Sequence, residues 1–124
     1  MMRYNPPTLM ALSKAGDLNR VMRFSKKQIN VVHDGYTALI LATMYGHTEV
    51  VRYLCHQGAD VNAKDLYGNS ALAFAAADGN IEILNILCDW GADMYSKDDT
   101  GTTPLTVAAI NYEPEAVIQL CKWM

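Results

Sequence analysis

The chain has 124 residues, half apolar and about a fifth charged, which suits one domain with a core of useful size. Its net charge of −3 is unevenly spread: residues 1–32 carry Arg3, Lys14, Arg20, Arg23, Lys26 and Lys27 against Asp17 (+5), and residues 33–124 carry four basic and twelve acidic groups (−8). That balance excludes the broad basic face a nucleic-acid binder needs, no apolar run reaches the roughly 18 positions of a membrane span, and Met1 to Pro7 lacks the apolar core of a secretory leader. A cytoplasmic or nuclear protein is expected, with no membrane or nucleic-acid partner. The basic stretch reads as a solvated helix face or a contact for an acidic partner.

In chain order, the first unit (about 5–31) is a degenerate helix pair, with Leu9 and Gly16 as its surviving landmarks. The second unit (32–64) is complete. Thr37 is placed to accept a first-turn N–H and open a helix, and Gly46 permits a sharp turn. Val50, Val51, Leu54 and Cys55 then follow at helical spacing, and Gly58 ends the second helix as a left-handed cap. The third unit (65–97) repeats this 33 residues later with Gly68, Ser70, Leu72, Ala75, Gly79, Leu87, Cys88 and Gly91. Its first helix is rich in alanine (Ala73, Ala75, Ala76, Ala77), which lets neighbouring helices approach closely.

The fourth unit (98–124) keeps Gly101, Thr103, Leu105, Ala108, Leu120 and Cys121 at the same period. Pro104 suits the first helical position, where no donor is needed. Tyr112 replaces the turn glycine, so Asn111 is expected to take positive φ and Pro114 to start the last helix. Gln119 stands at a core position and Ile118 at an exposed one. The last helix is only partly polar, so either the chain continues beyond Met124 or something covers it. This unit is expected to open first.

Gly-Tyr-Thr-Ala-Leu (35–39), Gly-His-Thr-Glu-Val-Val (46–51), Gly-Ala-Asp-Val-Asn-Ala (58–63) and Thr103-Pro104-Leu105 resemble the ankyrin-repeat family. The resemblance covers nearly the whole chain and implies one all-α domain over 1–124. Its architecture would be an α-solenoid of four helix-pair repeats joined by short β-hairpin loops. One such pair cannot bury its own apolar face, whereas stacked neighbours can.

Little in the sequence points to chemistry. The three cysteines are an odd number without CxxC spacing, which argues against a disulfide framework or a zinc site. Each follows a core leucine and is expected to pack in the interior. His47 is expected to bond locally in its turn, and His56 to face solvent near a helix end. No nucleophile has an adjacent base and no glycine loop cradles phosphate, so neither an enzyme nor a cofactor is expected. Asn62 resembles an asparagine hydroxylated in many ankyrin repeats, although a loop-stabilising role is the preferred reading.

By the resemblance, the function is non-catalytic protein binding through a concave face of hairpin tips and first helices, as an adaptor or inhibitor. That face maps to His33, Asp34, Tyr36, Met44 and Tyr45 in the second repeat. The third supplies Leu66, Tyr67, Asn69, Ala77 and Asp78, and the fourth Asp99, Thr100, Thr102, Ile110 and Asn111. The tyrosines suit a binding hot spot, and Asp34, Asp65, Asp98 and Asp99 would give an acidic rim, together fitting a basic and apolar partner. Tyr36 and Tyr67 packing on each other is the plainer alternative for those rings. Trp90 and Trp123, 33 apart, would form a ridge at the groove mouth or pack in the core. The chain is expected to be a monomer. The competing expectation is a structural segment of a longer array whose surface packs intramolecularly.

Overall fold

The computed structural model describes residues 8–124. Arg3 and the other opening residues, including the start of the first repeat, lie outside the described residues. Among the described residues eight α-helices follow in pairs: α1 (Leu9–Ala15) with α2 (Leu18–Val21), α3 (Ala38–Met44) with α4 (Thr48–His56), α5 (Ala71–Asp78) with α6 (Ile81–Asp89), and α7 (Pro104–Ile110) with α8 (Pro114–Trp123). The first helices α1, α3, α5 and α7 pack in one row and the second helices in another. The weakness of the first repeat is visible in its second helix, which is one turn long and is followed by a 3₁₀ turn at Lys26–Gln28.

The helix starts follow the hydroxyl periodicity. Thr8, Thr37, Ser70 and Thr103 accept from the N–H groups of Ala11, Ile40, Ala73 and Thr106, each satisfying a donor that the first turn leaves without a partner. Pro104 occupies the first turn of α7, and Pro114 that of α8. The turn glycines Gly46 and Gly79 take φ of +74° and +67°, as the sharp turns require. The fourth turn differs from expectation: Tyr112 takes the positive φ (+57°) and Asn111 stays at −86°. The Asn111 amide donates to the Ala77 carbonyl at 3.1 Å, which ties it to the previous repeat.

Burial follows the stack. α4 buries Val50, Val51, Leu54 and Cys55 and leaves Glu49, Arg52 and His56 outside. α5, between α3 and α7, buries Ala71, Leu72, Ala75 and Ala76, so both neighbours sit close to its backbone. Leu54, Leu72, Leu84, Leu87 and Leu120 lose all contact with water. Each such burial contributes about 1.5–3 kcal/mol relative to exposure.

The hairpin loops are minimal, and two interior expectations need correction. The loops carry isolated bridges, His33 with Tyr36 and Lys64 with Ser70, and no strands among the described residues. In the third repeat the Asp65 side chain takes the N–H groups of Tyr67 and Asn69, so the loop closes on a carboxylate instead of extending a ladder. Cys121 is exposed, unlike buried Cys55 and Cys88, because no further layer closes over α8. His47 does not bond locally: its Nε2 lies 2.7 Å from the carbonyl oxygen of Lys14, one layer back.

Candidate functional site

Two rows of side chains border the groove face: the loop tips and the C-terminal ends of the first helices. The tips rest directly on one another. Leu66 covers Gly35, where an added Cβ would stand 2.8 Å from the leucine Cδ1. Asp99 rests on Gly68 in the same way, and its backbone N–H donates to the Tyr67 carbonyl at 3.0 Å. Glycine at these two positions is what lets adjacent tips meet. Behind the tips, Asn30 and Asn62 staple successive loops. Asn30 donates to the Gly58 carbonyl and accepts from the Asp60 N–H at 3.0 and 2.7 Å. Asn62 does the same to Gly91 and Asp93 at 3.4 and 2.8 Å, the loop-stabilising role the sequence suggested.

Five of the sequence-selected residues surround one recess of about 310 Å³ between the first and second repeats: His33, Asp34, Tyr36, Met44 and Tyr45. Its wall also includes Met10, Ala11, Lys14 and Leu41, which the sequence reading missed. The Lys14 ammonium sits 5.1 Å from the centre of the Tyr45 ring, a cation–π contact. Lys14 precedes Gly16 by the same two positions as Met44 precedes Gly46. The signal was present, but the first repeat is offset by 30 residues instead of 33 and falls out of register. Beside Lys14, the imidazole of His33 lies 3.5 Å from the Asp34 carboxylate, and both are well exposed. Asp34 adopts φ of +53°, a left-handed conformation that Asp tolerates better than most residues.

Further along, Leu66 and Tyr67 project from the third loop, 73% and 67% exposed, and Tyr45 from the end of α3 is 49% exposed. Tyr36 is half-buried and packs on the core. The close ring pair among the described residues is His56 with Trp90, so Tyr36 and Tyr67 do not account for each other. Asp78 and Asp99 are exposed, whereas Asn69, Thr100, Thr102 and Asn111 are engaged in bonds within the chain. Those four shape the loops.

The acidic rim is smaller than expected. Asp65 is buried beneath its own loop. The Asp98 carboxylate is held below its usual range by the Thr100 hydroxyl and by the backbone N–H groups of Thr102, Thr100 and Gly101. Both are loop staples, and Asp34, Asp78 and Asp99 supply the free acidic charge at the face. The tryptophans form no ridge. Trp90 meets His56 edge-on at 5.1 Å, and the Trp123 indole N–H donates to the Asn85 side chain at 2.8 Å. Both belong to the row of second helices.

Reactive groups are scarce among the described residues. Burial pushes the Cys55 thiol up to about 11, and burial with the Asp89 charge does the same for Cys88. No cluster of His, Cys, Asp or Glu with the make-up of a metal site occurs among the described residues.

The family model for ankyrin repeats, described as three copies, matches residues 8–98 and again 63–123. A search among curated proteins finds no match. With the matched segments spanning nearly every helix described above, and with the helix pairs stacked in two rows, the chain belongs to the ankyrin-repeat family.

Proposed function

We propose that the chain is a non-catalytic adaptor or inhibitor that holds a protein partner against the face formed by the loop tips and first helices. Ankyrin repeats are in general modules of protein–protein interaction. The observation that carries the finer reading is the exposure of Tyr45 on a recess lined by Met44, Lys14 and Asp34, with Leu66 and Tyr67 exposed at the next loop tip. Large rings supply contact area at small entropic cost, and exposed apolar groups grouped on one face are characteristic of binding sites. Asp34, Asp78 and Asp99 favour a partner with basic groups beside apolar ones, and Lys14 with His33 adds one position for an acidic group. Each chain carries a whole face of this kind, so binding needs no second copy.

The test is a pull-down from source lysate with the native chain and with a Tyr45→Ala/Tyr67→Ala variant whose fold is verified by circular dichroism. Truncation of a buried hot-spot ring costs about 2 kcal/mol or more, so the variant should lose over tenfold of the captured partner. Equal recovery by both would move the site off this face.

A further inference from the structure

The open end of the stack is the fourth repeat. Positions closed over in the third layer are bare in this one. Ala109 and Cys121 are exposed where Ala76 and Cys88 are buried, and Val117 is half-open where Leu84 is fully enclosed. Ala109, Tyr112, Glu113, Pro114, Val117 and Ile118 border a mainly apolar recess of about 510 Å³ between α7 and α8. A contiguous apolar face of this kind implies a cover.

Tyr112 stands against the simplest one, a fifth repeat. In the earlier layers the turn between the paired helices carries a glycine, and the cap residue of the next layer rests on it: His47 on Gly16, Asn80 on Gly46, Glu113 on Gly79. A Cβ on Gly16 would lie 2.7 Å from the His47 ring carbons, and one on Gly79 2.6 Å from the Glu113 carboxyl carbon; only Gly46 is roomier, at 3.8 Å. Tyr112 occupies the corresponding turn with the same left-handed backbone, but carries a Cβ and a ring, 90% exposed. A fifth layer seated like those on Gly16 and Gly79 would drive its cap residue into that Cβ.

We propose that this end pairs with the same end of a second copy, α8 against α8, antiparallel about a two-fold axis beside Ile118. The charge pattern of α8 selects that arrangement. Its outward stripe is Pro114, Glu115, Ile118, Cys121 and Lys122. At about 100° per residue, Glu115 and Lys122 lie on one flank of Ile118, displaced in opposite directions along the helix, and Pro114 and Cys121 lie on the other. A two-fold axis normal to the plane of two antiparallel helices preserves the flank and reverses the direction. Glu115 therefore meets Lys122 of the second copy twice, Pro114 meets Cys121 of the second copy, and Ile118 meets itself. Neither Glu115 nor Lys122 has an ion-pair partner within its own chain among the described residues. A parallel pairing would put the charged flanks on opposite sides and leave all four groups unmatched. The groove face lies on the loop tips and first helices, so the pair presents two grooves and gains by multivalency towards a repeated partner. This self-association replaces the monomer expected from sequence and does not depend on what the groove binds.

Sedimentation velocity from about 1 μM to about 1 mM tests the pairing. The native chain should pass from one copy to two and stop, and Ile118→Asp should remain a single copy throughout. Glu115→Lys and Lys122→Glu should each weaken dimerisation about tenfold, since each sets like charges together, and the double exchange should restore it. Both charged positions and Ile118 are exposed in the single chain, so the variants fold, as circular dichroism will verify. A native chain that stays single over the whole range overturns the pairing. So does growth beyond two copies, the signature of head-to-tail contact, or a double exchange that fails to restore what the single ones lose.

Discussion

The third and fourth repeats share most of their landmarks, the turn glycine apart, yet their equivalent positions live in different environments. Leu84 and Cys88 in α6 are sealed between layers, whereas Val117 and Cys121 in α8 meet water. Asn62 bolts its loop to the next one, but Tyr95, at the matching position of the following unit, projects 63% exposed. At the helix positions the difference lies in the neighbour, and at the loop position it lies in the side chain. In a one-dimensional stack, a side chain's contribution depends on whether a second layer presses on it.

The comparison can be broken most directly by truncating equivalent core positions. Leu84→Ala should cost about 3 kcal/mol, since it opens a cavity between two closed layers. Val117→Ala, at the half-open equivalent, should cost about 1 kcal/mol or less. Urea unfolding with an unchanged slope reads both, and equal losses would mean the fourth repeat is as enclosed as the third. A smaller effect separates the loops. Asn62→Ala removes two bonds to the next loop and should cost about 1–2 kcal/mol, whereas Tyr95→Ala should stay within about 0.5 kcal/mol. The finest distinction is kinetic. At concentrations below about 1 μM, where the chain is a single copy, an aromatic disulfide reagent should modify Cys121 at once. Cys88 should wait for the last helix pair to open, and Cys55 should be the slowest. Simultaneous labelling of all three thiols would show that the stack opens as one unit.

Much of the architecture was legible in the 33-residue period. Helix starts at Thr37, Ser70 and Thr103, turns at Gly46 and Gly79, and burial of Leu54 and Leu87 all follow from properties that belong to one position in the unit. What escaped depends on two units at once. His47 reaches back to Lys14, Asn111 to Ala77, and Trp123 across to Asn85, and none of these partners can be read from a single repeat. The Asn111 tether also fixes which residue takes the left-handed turn, against the usual preference of Asn over Tyr. Asp65 illustrates a further gap. Its place at a loop tip suggests a charge at the rim, but the N–H groups of its own loop draw it inward. At the candidate site, the residues of the second repeat were found by position, whereas Lys14 was hidden by three missing residues in the first.

Tyr112 also constrains how a protein of this design can lengthen in evolution. Repeat proteins grow by duplicating coding segments of one unit. A copy of residues 65–97 inserted between the third and fourth units would find glycine turns ahead of it and keep the original last unit at the end. The same copy added behind α8 would meet a tyrosine in place of the glycine on which the cap residue of its second helix rests. Tandem gain of units should therefore occur ahead of the tyrosine-bearing unit and not directly behind it.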